Sequence, residues 1–557
     1  MRKLLPLLFL VASSFSLQAQ TETATNAVKN MGLGWNLGNT LDANKADGKT
    51  PSDEGYWGCQ GLESETCWGQ PKATKELITM MKKAGYGAIR VPVTWYQHID
   101  KDGNIDSAWL KRVHEVVDYV IDNGLYCILN VHHDTGADGE DHSSWIKADM
   151  DTYNATKDRY ENLWSQIAEE FKSYDGKLIF AAYNEMLDIK NSWCYASFSA
   201  AGQYDEAIAK SAYDAINSYA QSFVNVVRKS GGNNADRNLI INTYASASGL
   251  GTWSTHLKEP LTNLNYPEDS AKDHIIFEYH TYIDFNKRDA NDKIIGDRTI
   301  AEIKSDVDEL VKISKEYLMS KGAPVIVGEW GSRNVDAAQT DYDLKRDTYL
   351  EFADYFVKQM KANGIGTFHW MGLTDGIFRS MPVFNQADLA EKMAKAYHGE
   401  DFKGEYPTME ETSEIVVFED TLTLEWGTAI TVPANLFKNF DKDVQLKITY
   451  VQSGEDYNMF QFWYSDWSSK IDFIVDEKTY SADFEPGTHY GTPQGTEHTT
   501  AFTFDAKTYD TILKLGVLFQ GHGILVKKAV LTSTDPSSLE EVRKSTALDN
   551  VFFNLSG

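Results

Sequence analysis

Eight short apolar runs, separated by longer segments with helical spacing, constrain the fold of this chain more than any other feature. A run that is apolar without alternation is typical of a parallel strand buried on both faces, with helices making the connections. Eight such strands favour a closed barrel over an open doubly wound sheet, and no glycine-rich phosphate loop follows the first run. The runs are Leu33–Leu37, Ala88–Val93, Tyr126–Val131, Leu178–Tyr183, Leu239–Thr243, Ile275–Tyr279, Ala323–Val327 and Gly366–Trp370.

The apolar pattern changes beyond the eighth run. A polar, Glu-rich stretch comes first, and short runs with period-two alternation follow. This alternation indicates an antiparallel sandwich, so the predicted fold is α/β, a (β/α)8 TIM barrel followed by a smaller, jelly-roll-like all-β domain. The predicted segments are a signal peptide at 1–19, the barrel domain at 20–400, a linker at 401–414, the sandwich at 415–533 and a tail at 534–557.

The N-terminal residues predict export of the chain. Arg2 and Lys3 precede an apolar run over 4–12, and small and polar residues follow up to Ala19. This is the pattern of a secretory signal peptide, and its apolar run is too short to span a membrane. The mature protein is therefore expected to be secreted, to the periplasm or outside the cell, without membrane insertion.

Charge and composition narrow the classes of partner. The net charge is −28, which argues against nucleic acid and against an anionic membrane surface, because both need a basic face. The chain has 14 Trp and 29 Tyr, and such aromatic wealth suits a neutral substrate with flat apolar faces. Cys59 and Cys67 are spaced for a local disulfide in an exported protein, while Cys127 lies in an apolar run and is predicted to be a buried thiol.

In a barrel of this type, functional side chains lie at the C-terminal ends of the strands. Seven of the eight runs end in polar or aromatic residues that can converge there, which a purely structural barrel does not need. The candidate site residues are Asn39 after run one, Arg90 in run two, His132 and His133 after run three, Asn184 and Glu185 after run four, His280 and Tyr282 after run six, Glu329 after run seven and Trp370 at the end of run eight.

Two carboxylates, Glu185 and Glu329, form the most informative pair among these candidates. A single glutamate at a strand end is more often a salt-bridge partner, but paired carboxylates in an aromatic cleft are the apparatus of glycoside hydrolysis. One protonates the leaving oxygen and needs a raised pKa, and the other attacks the anomeric carbon and needs a lowered one. Arg90 and Tyr282 are placed to keep Glu329 ionised, and Asn184 is placed to bond the sugar 2-hydroxyl.

The segment from His132 to Asp134 raises the alternative of a metal site. Adjacent side chains in extended backbone point to opposite sides, so His132 and His133 cannot easily hold one ion. The sequence also has no HExxH motif. We therefore predict neither a catalytic metal nor a cofactor.

Tryptophans are candidates for the walls of a sugar cleft. Trp35 and Trp109 are predicted to lie in the core, because each falls within an apolar strand or helix pattern. Six others are predicted in loops, where each either packs or helps to line the cleft: Trp57, Trp68, Trp145, Trp193, Trp253 and Trp330.

The motifs GWNLGNTLDA, AIRVPVTW, ILNVHHD, YNE, EYHTY, VIVGEWG and GTFHW occur in this order, and over residues 28–400 the chain resembles glycoside hydrolase family 5. NLGNTLDA with ETCWGQP and IDNGLY is most similar to the bacterial endo-β-1,4-glucanases of the subfamily that includes xyloglucanases and lichenases. The resemblance implies a retaining (β/α)8 enzyme without a catalytic metal.

The resemblance also implies roles for the candidate residues. Glu185, preceded by the usual Asn184, is similar to the acid/base of the family, and Glu329 is similar to the nucleophile. The remaining matches are Arg90, His132, His280 and Tyr282 with supporting residues, Trp370 with the tryptophan under the sugar at the cleavage site, and Asn39 and His133 with residues that line neighbouring sugar sites. Met186 replaces the common proline, and GEWG the frequent GEFG, without removing a catalytic group.

The expected function is a secreted endo-glycosidase that hydrolyses internal β-1,4 linkages of cellulose derivatives, mixed-linkage glucan or xyloglucan by double displacement. We expect a monomer whose partner is a polysaccharide. A β-1,4-mannanase would use the same catalytic residues. The long segments at 135–160 and 187–203 can change the walls of the cleft, so the sequence does not decide between these substrates. A non-catalytic glycan-binding protein is the alternative from another class, although it would gain nothing from two buried carboxylates.

The C-terminal β domain has two open interpretations, a structural pad that packs on the barrel or a carbohydrate-binding module. Phe460, Phe462 and Tyr464 share one face of a strand, and the phenylalanines suit the sandwich core. Trp463 then faces the other way and, with Trp426 or Trp467, is free to line a sugar platform.

Overall fold

The computed structural model describes residues 22–44, 61–138, 144–193, 204–252, 254–289, 293–333, 335, 342–408, 414–438, 440, 444–453, 457–481 and 483–533. Several predicted features lie outside the described residues: the signal peptide, Cys59, Trp57, Trp253, residues 409–413 of the linker and the tail from 534. Cys67 is disulfide-bonded, and Cys127 is a buried free thiol, as predicted.

Eight parallel strands close into a barrel, which confirms the predicted fold class. Each strand falls on one of the predicted apolar runs, because both faces of a barrel strand are buried. The strands are β1 (Leu33–Asn36), β2 (Tyr86–Val91), β3 (Tyr126–Asn130), β4 (Leu178–Ala181), β5 (Leu239–Asn242), β6 (Ile275–Ile283), β7 (Val325–Ser332) and β8 (Gly366–Trp370). Each pairs with its neighbours in the chain, and β8 closes the barrel against β1.

Helices alternate with these strands, and polar caps set where several of them begin. Thr74, Asp106 and Asp149 each accept a hydrogen bond from a backbone N–H of the first turn that follows. The helices of this region are α1 (Ala24–Asn30), α2 (Lys75–Lys83), α3 (Ser107–Asp122), α4 (Met150–Glu170), α5 (Glu206–Ser230), α6 (Glu259–Thr262), α7 (Ile300–Ile313), α8 (Tyr342–Ala362), α9 (Ile377–Ser380) and α10 (Ala387–His398). A hairpin of Asn286–Arg288 and Ile294–Asp297 follows β6. Among the described residues, none of the helices is both long enough and apolar enough to cross a membrane.

Helix α1 closes the N-terminal end of the barrel. Its Ala27 and Val28 belong to the same buried cluster as the inward-facing side chains of the strands. Phe368 fills the interior next to β1, where a Cβ on Gly34 would lie 2.3 Å from the phenyl ring. The accessible end of the barrel is therefore the C-terminal one.

A change of register between β6 and β7 aims the side chains at that end. Tyr279 pairs with Val327, but the next residue of β6, His280, pairs with Glu329. Gly328 is thus an extra residue on β7, a bulge of the kind that redirects side chains beside functional sites. Beyond it Glu329 faces the mouth of the barrel.

The C-terminal region folds into two antiparallel sheets, as predicted. Its strands are β9 (Glu414–Leu424), β10 (Ala429–Val432), β11 (Val444–Gln452), β12 (Met459–Tyr464), β13 (Phe473–Val475), β14 (Lys478–Tyr480), β15 (Glu497–Thr503), β16 (Val517–His522) and β17 (Ile524–Ser533), with helices α11 (Ala434–Lys438), α12 (Pro486–Tyr490) and α13 (Ala506–Leu515). One sheet has the order β9-β17-β11-β15-β13-β14 and the other the order β10-β16-β12. Phe460 and Phe462 are buried in the core of this region, as the alternation predicted.

Candidate active site

The carboxylate of Glu329 lies at the centre of the polar side chains at the mouth of the barrel. Arg90 Nη1 donates to its Oε1 at 2.9 Å, and the Tyr282 hydroxyl donates to its Oε2 at 2.8 Å. Arg90 comes from β2 and Tyr282 from β6, so three strands converge on one carboxylate. The Glu329 side chain is only 6% exposed, so these partners, rather than water, stabilise its charge.

Arg90 forms hydrogen bonds with side chains from several strands. It is fully buried and donates to Asn36 Oδ1 at 3.0 Å and to Asn184 Oδ1 at 2.6 Å. Asn36 in turn donates to the carbonyl of Gly328 at the β7 bulge, at 2.9 Å. A planar guanidinium with several fixed donors fits this role better than a lysine would.

Glu185 follows β4 and faces Glu329 across the mouth. One oxygen of each carboxylate and a ring nitrogen of His280 lie within 4.8 Å of one another. His280 Nδ1 is 2.8 Å from Glu185 Oε1 and 3.6 Å from Glu329 Oε2. The Glu185 side chain is 22% exposed, against 6% for Glu329. The structure thus brings the two predicted carboxylates together but gives them different environments.

The carboxylates around His280 hold it as a cation. Burial lowers its pKa, but the charge of Glu329 and hydrogen bonds with Glu185 and Glu278 outweigh burial and raise the pKa to about 9. The imidazolium therefore carries positive charge between the two facing carboxylates at neutral pH.

Glu278 is a site residue that the sequence reasoning missed. It lies in β6, is fully buried, and places Oε1 3.0 Å from His280 Nε2 and 3.2 Å from Arg90 Nε. Burial raises its pKa, but the charge of Arg90 and the contact with His280 hold the pKa below its ordinary value. The signal was a glutamate within the apolar run IIFEY, because a buried strand carries a charge only where a partner compensates it.

The prediction of a lowered pKa for Glu329 is wrong, although Arg90 and Tyr282 act on the pKa in the predicted direction. Burial has the largest effect and raises the pKa, and the like charge of Glu185 acts in the same direction. The charges of His280 and Arg90 and the hydrogen bond from Tyr282 oppose this rise without cancelling it. Strand-end position predicted the partners, but complete burial depends on packing that the sequence does not show.

Trp370 ends β8 and forms a partly exposed wall of the mouth. Its ring lies parallel to that of His132, with 5.9 Å between the ring centroids. A Cβ on Gly38 would lie 2.8 Å from the indole, so glycine there leaves room for it. Asn39 follows with a φ of 55°, a left-handed conformation that asparagine tolerates, and its N–H donates to Asp42 Oδ2 at 3.0 Å.

His132 and His133 lie on the same side of the chain, so the prediction that they diverge is wrong. Their ring centroids are 4.4 Å apart, and one nitrogen of each lies within 4.8 Å of an Asp42 oxygen. The prediction assumed extended backbone, but β3 ends at Asn130 and the chain turns beyond it. Asp42 accepts from two backbone N–H groups, and Asn130 Nδ2 lies 2.9 Å from His132 Nδ1, so hydrogen bonds already engage this cluster.

Trp330 lies in β7 rather than in a loop, which corrects its predicted position. It is fully buried and stacks on Phe356 of α8, with 4.3 Å between the ring centroids. The reason is that β7 continues to Ser332, past the end of its apolar run. Trp35 and Trp109 are fully buried, as predicted.

The other described loop tryptophans differ in what they contact. Trp68 lies 5.3 Å from the ring of His133 and so borders the mouth. Trp145 packs under the guanidinium of Arg159, whose central carbon lies 4.5 Å from the ring centroid, and its Nε1 donates to Asp134 Oδ1 at 2.6 Å. Trp193 is 47% exposed.

Comparison with protein families and curated relatives gives consistent matches. A family model described as Cellulase (glycosyl hydrolase family 5) matches residues 48–374. Endoglucanase B of Neocallimastix patriciarum is 31% identical over 377 residues, which cover 67% of this chain and 70% of that protein. Endoglucanase 1 of Ruminococcus albus is 35% identical over 346 residues, or 60% of this chain and 72% of that protein.

Solved structures match the same region of the chain. A GH5-4 broad specificity endoglucanase from an uncultured bacterium has 56% identity and a TM-score of 0.63, and the match covers 69% of this chain and 98% of that one. PbGH5A, a glycoside hydrolase family 5 enzyme from Prevotella bryantii, was solved as a mutant in complex with a xyloglucan tetradecasaccharide. It has 37% identity and a TM-score of 0.56, with 68% of this chain and 99% of that one covered.

Proposed function

Because the chain belongs to glycosyl hydrolase family 5 and is an endoglucanase, we propose that it cleaves internal β-1,4 linkages with retention of configuration at the anomeric carbon. The observation that carries this proposal is that an oxygen atom of the Glu185 carboxylate lies within 4.8 Å of an oxygen atom of the Glu329 carboxylate, with no gap between them wide enough for the inverting arrangement. Carboxyl groups of retaining glycosidases lie about 5–5.5 Å apart, whereas inverting enzymes need about 6.5–9.5 Å to admit a water molecule.

The different exposures of the two carboxylates, 6% for Glu329 and 22% for Glu185, support distinct roles. In the first step the C–O bond of the leaving group breaks, Glu185 gives its proton to the leaving oxygen, and Glu329 forms an ester with the anomeric carbon. In the second step Glu185 takes a proton from water, the water oxygen attacks the anomeric carbon, and Glu329 is released. The greater exposure of Glu185 suits a group that meets both leaving group and water.

Other residues at the mouth are proposed to hold the sugar. Trp370 presents a ring face for stacking, which fits the apolar faces of a pyranose. Asn184, held by Arg90, bonds the 2-hydroxyl, while Asn39 and His133 line neighbouring sugar sites. His132 and Tyr282 support the carboxylates.

The proposed substrates are β-glucans: carboxymethyl cellulose, mixed-linkage glucan and xyloglucan. Support comes from the similarity to the broad specificity endoglucanase and to PbGH5A, the second of which was solved with a bound xyloglucan oligosaccharide. Mannan is the alternative substrate with the same chemistry. We also propose that residues 1–19 direct secretion and that the mature protein acts as a monomer.

Proton NMR of the first products from a soluble β-glucan tests the mechanism. Retention predicts β-configured reducing ends before mutarotation, and α-configured ends would overturn it. A panel of β-glucans and mannan tests the substrate, with solution viscosity and the number of reducing ends measured for each polymer. On glucans, viscosity should fall faster than reducing ends accumulate. If reducing ends are released from mannan alone, mannan and not glucan is the substrate.

A further inference from the structure

The outer face of the three-stranded sheet in the C-terminal region carries side chains that the barrel chemistry does not use. Alternation along β12 and β16 turns the phenylalanines into the core and leaves Gln461, Trp463, Gln520 and His522 on the other face. Gln461 lies opposite Gln520 in the register of the two strands. We refer to this surface as the tryptophan face, which comprises Trp426, Gln461, Trp463, Trp467, Gln520 and His522.

Aromatic rings stand at both ends of the tryptophan face. The ring centroids of Trp463 and Trp467 are 5.6 Å apart, and Trp467 is 48% exposed. At the other end Trp426, which is 59% exposed, stacks on His522 at 5.0 Å with an angle of 13° between the ring planes. His522 lies opposite Met459, four residues from Trp463, so the two ends are separated by about 13 Å at the usual rise of a strand. Clustered apolar rings left in water mark binding surfaces.

A strip of hydrogen-bonded amides lies between the two aromatic ends. Gln520 Nε2 donates to Gln461 Oε1 at 2.8 Å, and Gln461 Nε2 donates to Asp483 Oδ1 at 2.7 Å. Trp463 Nε1 donates to the same Gln461 oxygen at 3.3 Å. These bonds fix the amides in place. Gln461 is buried, at 6% exposure, so the partly exposed Gln520 is the amide that a ligand rich in hydroxyl groups would reach.

The charged side chains around the tryptophan face are paired. Lys470 lies 3.4 Å from Asp483, and His522 lies 2.5 Å from Glu425. Lys470 offsets the charge of Asp483, within a chain whose net charge is −28. A neutral polymer with apolar ring faces and hydroxyl edges complements the tryptophan face, whereas an anionic nucleic acid or membrane does not.

We propose that the tryptophan face is a second glycan-binding site, which takes a β-1,4-linked glucan chain. The choice of glycan rests on the proposed function of the barrel. A protein that cleaves a β-glucan at its barrel has that same polymer close to its C-terminal region. The rings stack on sugar faces at both ends, and the amide strip bonds hydroxyl groups between them.

Calorimetric titration of the full chain carrying Glu329→Gln with a soluble cello-oligosaccharide tests this proposal. The expected result is two binding sites per chain. Trp463→Ala and Trp467→Ala should each abolish the same one of them, the site on the tryptophan face. Trp370→Ala should abolish the other site, at the barrel, so that failure of the barrel proposal is visible separately. Tyr355→Ala, an aromatic change in α8, should leave both sites.

Thermal unfolding checks that each variant is folded. If Trp463→Ala destabilises the domain, Trp467→Ala still tests the proposal, because the exposed Trp467 side chain can be removed without loss of core packing. If Trp463→Ala and Trp467→Ala both leave the number of sites unchanged, the proposal is overturned. In that case the C-terminal region serves the chain in another way, such as a structural pad.

The position of the Glu278 carboxylate inside the barrel carries a second inference, independent of the first. A Cβ on Gly328 would lie 1.8 Å from Glu278 Oε1, so the glycine at the β7 bulge admits this carboxylate. Its Oε1 contacts His280 Nε2 and Arg90 Nε at 3.0 and 3.2 Å. Each of these two cations contacts one or both of the facing carboxylates through its other nitrogen atoms.

We infer that Glu278 is a positioning residue that fixes the His280 ring between Glu185 and Glu329. Its negative charge beside Nε2 also favours the protonated ring. Because Glu278 accepts a hydrogen bond from Nε2–H, only Nδ1–H is left to point at the facing carboxylates. The ionisable groups around the ring are these three carboxylates, with Arg90 and Tyr282 beside Glu329. The inference rests on the proposed roles of Glu185 and Glu329.

The pH dependence of kcat for Glu278→Gln tests this second inference. We expect kcat to fall at least tenfold with KM nearly unchanged, and the alkaline limb of the profile to move to lower pH, because His280 then loses its proton more easily. Glu278→Asp keeps the negative charge, so the alkaline limb of its pH profile should lie closer to that of the wild type. A reduced kcat with an unmoved alkaline limb would assign Glu278 a purely structural role. Wild-type activity in Glu329→Gln would instead refute the proposed mechanism.

Discussion

At the scale of single residues, the negative charge of Glu329 is what the proposed mechanism needs most. Glu329→Gln keeps the shape of the side chain but removes the nucleophile, so turnover should fall by more than about 10⁴-fold while glucan binding persists. Initial rates on a soluble β-glucan and calorimetric binding measure the two effects. Glu309→Gln, the same change at an exposed position of α7, is the control and should keep full turnover. Unimpaired turnover in Glu329→Gln would contradict the assignment.

The protonation of His280 links the site to the stability of the fold. Its pKa is raised to about 9 in the folded protein from an ordinary value of 6.5, so the folded state binds this proton more tightly than the unfolded state. The resulting stabilisation is complete below pH 6.5 and is lost as the pH rises through about 9. Denaturant unfolding across this range should show a falling free energy of unfolding. His280→Gln should flatten that part of the curve, and equal slopes in the two proteins would count against the linkage.

The carboxylates of the site were predictable to the extent that they follow an apolar run of the sequence. Glu185 and Glu329 could be found in this way, because the barrel fixes where the ends of its strands meet. Glu278 could not, since it lies within an apolar run and its partners come from other parts of the chain. The raised pKa of Glu329 escaped prediction for the same reason, because burial results from packing between distant segments.

At the scale of elements, the closure of β1 against β8 depends on a missing side chain. A Cβ on Gly34 would lie 2.3 Å from the Phe368 ring, so Gly34→Ala forces the ring or the strand to move. We expect a loss of about 1–3 kcal/mol in the free energy of unfolding, as for other overpacked cores. Phe368→Leu introduced with Gly34→Ala should recover part of the loss. Thermal and denaturant unfolding measure both variants, and an additive loss in the double variant would exclude a direct clash.

The elements themselves were largely predictable, but their register was not. All eight barrel strands could be located, because a short, continuous apolar run between two helical segments is typical of a strand buried on both faces. The bulge at Gly328 and the turn that brings His132 and His133 together could not be predicted. The bulge depends on how β7 pairs with β6, and the turn depends on where β3 stops, and a sequence without its partner strands carries no signal for either.

At the scale of the whole molecule, the described chain has hydrophobic cores that do not share residues. The barrel clusters draw on residues up to Ala396, with partly buried neighbours up to Tyr406, and the C-terminal cluster begins at Ile415. The change from continuous to alternating apolar runs predicted this division, because the two patterns need different sheets. The tryptophan face could be anticipated from alternation along β12, whereas its amide strip depends on the pairing of β12 with β16.

Separate cores predict separable activities. Every residue proposed to act on the glycosidic bond lies between Asn36 and Trp370, and the barrel clusters are complete before residue 408. A chain that ends at Thr408 should therefore keep kcat/KM on a soluble cello-oligosaccharide within about twofold, a change of only a few tenths of a kcal/mol in transition-state binding. In the Glu329→Gln background the same truncation should bind one oligosaccharide instead of two. Circular dichroism and the melting temperature establish that the shortened chain is folded. A folded but inactive barrel would mean that the C-terminal region completes the active site, and a truncated chain that still binds two oligosaccharides would place the second site in the barrel.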